Sequence, residues 1–235
     1  MKRFDAHIHT SPASPCASST VDEIIAAIIK NRLDIITVTD HGTLEGFKEL
    51  NKKVENLQRD FMISEQILLV PGVEVSWNDP KNDLGADILV FSENISNLKH
   101  LKPVMFDFNK IAPETIRKEL FLIWAHPFIG GGLGGGDFSP TLLNQIIPHI
   151  DAIEGWNGGI ARRPLFSSYG SAPMDFNLMA QDMAWDKSLP CTGGSDAHFH
   201  GHVGHMVNVL DNDVQNISEL FAQLKNKKFK VEERL

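Results

Sequence analysis

The sequence predicts an α/β fold: a mostly parallel sheet with helices packed on its outside. Three observations predict it. Short apolar runs alternate with stretches of helical periodicity along the chain. Roughly seven of the runs have strand length and β-branched character, which suits a barrel slightly smaller than the eight-stranded kind or an open doubly wound sheet. Residues with metal-ligand or acid–base chemistry follow the ends of these runs, at the rim where α/β folds gather their sites. At 235 residues, the chain is read as one domain, 1–235.

Composition narrows the function classes. Lys and Arg number 22 against 30 Asp and Glu, a formal charge of −8, which argues against a long nucleic acid as a partner. With 42% hydrophobic and 22% charged residues, general disorder is not expected. The longest aliphatic run, Ile24 to Ile29, is too short to span a bilayer, so no membrane partner is expected. The first residues lack the apolar stretch of a signal peptide, and two cysteines cannot build a disulfide framework. A cytoplasmic location is the expectation.

The elements follow in order. Arg3 to Ile8 reads as the first strand. Thr20 and Glu23 form a capping box, and Val21, Ile24, Ile25, Ile28 and Ile29 make one apolar helical face. Ile35 to Thr39 is strand-like, and a polar helix covers about Leu44 to Asp60. Leu68 to Val73 and Asp87 to Phe91 are two more strands, and Glu93 to Ala112 reads as irregular. Glu114 to Glu119 suggests a short helix, Leu120 to Ala125 a strand, Thr141 to Ile147 a helix and Ala152 to Gly155 a strand. Between them, Gly130 to Gly136 holds six glycines in seven positions and reads as a flexible loop placed to act as a lid. Met174 to Lys187 is a helix with Leu178, Met179, Met183 and Trp185 facing inward, and Pro190 to Gly193 is the last strand. Ile217, Leu220, Phe221 and Leu224 give a final helical face.

The chemistry-bearing residues cluster at strand ends. His7 and His9 end the first strand, Asp40 and His41 the second, Glu74 follows the third, His126 the fifth, and Asp196 and His198 the last. His-x-His and Asp-x-His put two side chains on one strand face, where both can bite one ion. Glu74 lies between Val73 and Val75, where a carboxylate is costly to bury unless paired or metal-bound. Nitrogen and carboxylate donors in this number suit Zn, Mn or Fe and exceed what one tetrahedral ion needs, so two or three divalent ions are expected.

The segments Asp5-Ala6-His7-Ile8-His9-Thr10, Thr39-Asp40-His41, Pro71-Gly72-Val73-Glu74, Ala125-His126-Pro127 and Gly194-Ser195-Asp196-Ala197-His198 resemble, in this order, the motifs of the PHP (polymerase and histidinol phosphatase) family. The resemblance runs from residue 5 to about 205. It implies a distorted seven-stranded, TIM-like β/α barrel whose two- or three-metal site hydrolyses phosphoesters. By that resemblance His7, His9, Glu74 and Asp196 hold a first metal. Glu74 bridges to a second, which His126 also binds, and His41 and His198 complete a third. Asp5 and Asp40 would orient histidines.

Two positions depart from the family pattern. Asp87 stands where many members have a ligating His on the fourth strand; it reads either as a ligand or as a solvated strand-start residue. Cys16 stands where relatives often have His or Asp near the third metal; it reads either as a thiolate ligand or as a small buried thiol.

The expected activity is hydrolysis of a phosphoester on a small phosphorylated molecule by a metal-activated water. Arg162 and Arg163 are candidates to hold the phosphate, Trp156 and Asn157 to line the pocket, and His200 or His202 to act as general acid, with His205 in the same loop. A metal-dependent amidohydrolase and a non-catalytic metal-binding accessory module are the competing readings.

Overall fold

A computed structural model describes residues 1–11, 13–60, 67–81, 84–128, 140–161 and 175–234. The glycine run 130–136 therefore lies outside the described residues.

The chain begins with β1 (Arg3–Asp5), α1 (Val21–Asn31), β2 (Ile35–Ile36), α2 (Glu45–Arg59) and β3 (Leu68–Leu69). The long hairpin β4 (Gly72–Asp79) and β5 (Leu84–Ser92) follows, then β6 (Val104–Met105), α3 (Phe108–Ile111), β7 (Leu120–Ala125) and α4 (Pro140–Ile146). The last part holds β8 (Ala152–Asn157), α5 (Gly158–Ala161), α6 (Phe176–Asp186), β9 (Cys191–Gly194), β10 (Met206–Leu210), α7 (Ile217–Lys225) and β11 (Phe229–Glu233).

The strands make two open sheets, in the orders β11-β10-β1-β2-β3 and β6-β4-β5-β7-β8-β9. Against the expected distorted seven-stranded, TIM-like barrel, the described residues show a mixed α/β fold whose sheets are not closed. Two strands depart from an all-parallel arrangement. β5 runs antiparallel to both β4 and β7, and β10 pairs antiparallel with β1. The sheets meet through single parallel bridges, Ile8 to Ala197 and His41 to Glu74. Both bridges fall within the ligand-bearing segments, so the seams between the sheets are also where the site forms.

One side chain closes part of a seam. Asn208, buried in β10, accepts a hydrogen bond from Gly193 N and donates to Gly193 O and Phe4 O at 2.9, 2.7 and 3.1 Å. Its amide stands in for the peptide group a continuous ladder would supply.

The capping box on α1 is present: the Thr20 hydroxyl accepts from Glu23 N and the Glu23 carboxylate accepts from Thr20 N. Val21, Ile24, Ile25 and Ile28 are buried, whereas Ile29 is half exposed at the edge of that face. In α6 the expected inward face is corrected. Leu178 and Trp185 point to solvent, at 53% and 88% exposure, and Ala180 and Ala184 face the sheet with Met179 and Met183 beside them. Small residues let α6 lie close to β8, where a Cβ on Gly155 would sit 3.0 Å from Gln181 Cγ.

Replacing Asn208 with Ala should leave Gly193 N–H and C=O buried without partners and lower stability by about 2–4 kcal/mol. Urea unfolding of both proteins checks this, and an unchanged midpoint would mean that the seam holds without the amide.

Candidate metal centre

His7 and His9 follow β1 and are buried to 0% and 1% exposure, so their polar atoms need partners inside the protein. Those partners come from four other places in the chain, at Ser14, Glu74, Glu154 and Asp196. Glu74 in β4 is 1% exposed and gathers four imidazoles. Its Oε2 lies 3.4 Å from His7 Nε2, 3.2 Å from His9 Nε2 and 3.3 Å from His41 Nδ1, and its Oε1 is 3.3 Å from His126 Nε2. Asp196 Oδ1 is 3.6 and 3.5 Å from the same nitrogens of His7 and His9.

Among the described residues, three groups of ligand atoms each lie within 4.8 Å of one another: His7, His9 and Asp196; His7, Glu74 and His126; and His9, Cys16, His41 and His198. Cys16 is exposed. Asp87 lines the same cavity of about 170 Å³ with His9, His41, Glu74, His126, Asn157, Gly159, Asp196 and His198. The reversal of β5 brings Asp87 there, because an antiparallel strand starts at the rim where its parallel neighbours end. Ser76 Oγ donates to Asp87 Oδ1 at 2.6 Å.

Backbone conformation aims two of these side chains. His126 and Asp196 have φ of 27° and 48°, in the left-handed region where non-glycine residues are uncommon. Such strain costs on the order of 1–3 kcal/mol per residue and persists only where surrounding structure enforces it. Gly159 leaves the approach to Asp196 clear, since a Cβ there would lie 2.6 Å from Asp196 Oδ2.

The histidines are held from behind. Glu154 Oε1 accepts from His7 Nδ1 at 3.0 Å, because a carboxylate can only accept. Ser14 Oγ donates to Asp40 Oδ1 at 2.7 Å and so accepts from His9 Nδ1 at 3.4 Å. Asp40 thus orients His9 through a serine, and it also accepts from Thr10 N and Oγ1. Asp5 does not act as expected. Its carboxylate accepts from the backbone N–H groups of His7, Ser195 and Gly204, tying three segments rather than turning a ring. Burial pushes its pKa up to about 6, against those hydrogen bonds.

Other expected residues fall elsewhere. His200 lines a separate cavity of about 480 Å³ with Lys30, His205 and Arg234, and hydrogen-bonds Ser19 Oγ at 3.1 Å. His202 packs on Phe199 and His205. His200 lies 3.8 Å from Glu23 of α1, and neither it nor His202 is among the residues that line the metal-ligand cavity. Asn157 lines that cavity, donating to Glu154 Oε2 and Asp196 Oδ2 at 2.9 and 3.3 Å. Trp156 lines a neighbouring cavity of about 390 Å³ that shares Ile160 with it. Arg162 and Arg163 lie outside the described residues. Glu154 is the residue missed in the sequence. Its signal was a carboxylate between Ile153 and Gly155 in an apolar run, the same cue that singled out Glu74.

Comparison with known proteins decides the family. The PHP domain profile matches residues 5–122, and the PHP-associated profile matches residues 175–229. The chain belongs to the PHP domain family. No curated protein matches this PHP sequence. Among solved structures it is similar to PsfC from Pseudomonas syringae, with 19% identity, a TM-score of 0.64, and coverage of 94% of this chain and 87% of that one. It is also similar to a provisionally assigned metal-dependent phosphoesterase from Bifidobacterium adolescentis (17%, TM-score 0.54, 84% and 88% covered). A third is an amidohydrolase from Chromobacterium violaceum with bound sulfate and no metal (15%, TM-score 0.55, 98% and 97% covered). These likenesses concern the fold.

The electrostatics of the PHP site follow from burial against mutual attraction. Burial opposes charge on His126, but Glu74, Asp196 and Glu154 outweigh it and raise its pKa to about 10. Burial likewise opposes charge on His7, and the same three carboxylates raise it. Burial opposes ionisation of Glu74 and Asp196, yet His7 and the neighbouring histidines hold both below the usual carboxylate range. Metal binding must displace the imidazole protons.

Without metal, the raised histidines add stability that is complete below their ordinary value of 6.5 and lost as pH rises toward about 10. The lowered carboxylates add stability present above their ordinary values and lost in acid. The chelated protein should therefore lose melting temperature from pH 6.5 to 10, and the metal-loaded protein should lose less. Thermal scans of both across that range check this; a melting temperature of the chelated protein that stays level or rises would contradict it.

Proposed function

We propose that this PHP protein is a metal-dependent hydrolase that cleaves the phosphoester of a small phosphorylated molecule. The observation that carries the reading is Glu74, a buried carboxylate within 3.4 Å of four imidazoles from three segments. Imidazoles crowded on one carboxylate repel one another when protonated, whereas divalent ions bridged by that carboxylate would use every donor.

In this reading His7, His9, Glu74 and Asp196 hold one ion, Glu74, Asp87 and His126 a second, and Cys16, His41 and His198 a third. Imidazole, carboxylate and a thiol suit Zn, Mn or Fe. Such ions would polarise a phosphoryl oxygen and lower the pKa of a bound water.

The chain's own residues position these donors. Asp40 and Ser14 fix His9. Asn157 holds Asp196. Gly159 keeps space beside that carboxylate for a substrate oxygen. A cavity of about 170 Å³ suits a phosphoryl group with part of its leaving group, and the Trp156 cavity beside it offers an aromatic wall for the organic remainder. Arg162 and Arg163 belong to the proposal as phosphate-binding cations, since guanidinium matches phosphate in a bidentate manner. Amide hydrolysis at the same centre is the second reading, supported by a likeness to the amidohydrolase that spans nearly both chains.

A panel of phosphomonoesters, phosphodiesters and amides with added Mn or Zn tests the reading. Phosphoester turnover should appear, vanish on chelation, and fall on the order of 100-fold in Glu74→Gln. Turnover of amides alone would move the chain to the second reading, and bound metal without turnover of any substrate would make it an accessory module.

A further inference from the structure

Glu154 is a buried carboxylate beside the centre with no part in the proposed ligand sets. It is 1% exposed and lies in the middle of β8. An ionised carboxylate at that depth is costly unless its lone pairs are satisfied. Its partners are informative. Oε1 accepts from His7 Nδ1 at 3.0 Å. Oε2 accepts from the backbone N–H of His126 at 3.0 Å and from Asn157 Nδ2 at 2.9 Å. Asn157 Nδ2 also reaches Asp196 Oδ2. One carboxylate thus touches or adjoins three positions from three segments, yet it offers no atom to any of the ligand groups.

Two of these contacts constrain the centre. Accepting from Nδ1 keeps a proton of His7 on that nitrogen, so Nε2, which faces His9, Glu74 and Asp196, is the nitrogen whose lone pair a metal would take once its proton is displaced. Accepting from His126 N holds the peptide at a residue with φ of 27°. The neighbouring chain is shaped to admit the carboxylate: a Cβ on Gly194 would lie 2.4 Å from Glu154 Oε1 and 2.6 Å from His7 Cβ.

We propose that Glu154 is a positioning residue that sets the His7 tautomer and, through the His126 backbone, locks the first and second metal positions to each other. The proposal rests on the metal-centre reading. Glu154→Gln is the discriminating variant, because it keeps shape and volume. Its amide oxygen can still accept from His126 N and Asn157 Nδ2. Its NH₂ would then face His7 Nδ1, which must become the acceptor and move its proton to Nε2.

The experiment combines calorimetric titration with Zn and long-range ¹H–¹⁵N correlation of the histidine rings. The wild-type protein is compared with Glu154→Gln, each metal-free and Zn-loaded. In Zn-loaded wild type, His7 should carry its proton on Nδ1. In Glu154→Gln, Zn affinity should fall 10- to 100-fold, the His7 proton should shift to Nε2, and the metal-free circular dichroism should match wild type. Equal Zn affinity with an unchanged His7 signal in the variant would overturn the proposal. So would a His7 proton on Nε2 in Zn-loaded wild type, a measurement that stands even if the variant does not fold. Failure of wild type to bind Zn, Mn or Fe would instead overturn the metal-centre reading itself.

Discussion

The arrangement of this protein turns on the burial of mutually attracting charges around Glu74. A carboxylate and two histidines with almost no exposure would be costly if isolated, so the interior has to supply partners for each. Those partners lie on segments as far apart in sequence as residues 7 and 196. The need to bring them together explains why the sheets meet where they do. The Ile8–Ala197 and His41–Glu74 bridges fall within the motifs, and each joins one sheet to the other beside a ligand-type side chain.

The same constraint reaches the backbone. Left-handed conformations at His126 and Asp196 aim side chains into the cavity at an energetic cost. Hydrogen bonds from beneath offset part of it: Glu154 on His126, and Asn157 on Asp196. Asp5 performs a related task with backbone groups, joining His7, Ser195 and Gly204. Glycines at 159 and 194 leave room where a Cβ would strike a carboxylate. The site is thus a set of ligand-type side chains held by a second set of buried polar groups, with small residues where the two meet.

Much of the centre was legible from the sequence, and for a local reason. A strand that ends in His-x-His, Asp-His or Asp-x-His announces both the face and the rim on which its side chains fall. What stayed hidden depends on non-local facts. Strand direction is one: Asp87 precedes an ordinary apolar run, and only the antiparallel pairing of β5 with β4 and β7 shows why it lies at the cavity. β10 and β11 carry no motif, and Asn208 interrupts the apolar pattern of β10 for a reason visible only at the seam. The inward face of α6 was misread because Leu178 and Trp185 are large and apolar, whereas close packing on β8 selects alanines. His200 and His202 look like further site residues from their spacing, but neither lines the cavity, and His200 lines a separate one beside α1.

The central claim is that this cluster holds more than one divalent ion with Glu74 shared between two of them. Metal content of the purified protein, measured by plasma mass spectrometry alongside His7→Ala and Glu74→Ala, tests it most directly. The account predicts two or three equivalents per chain in the natural protein. It predicts the loss of at least one equivalent in His7→Ala and a larger loss in Glu74→Ala, because one removed side chain would disturb two positions. Full metal content in both variants would contradict it.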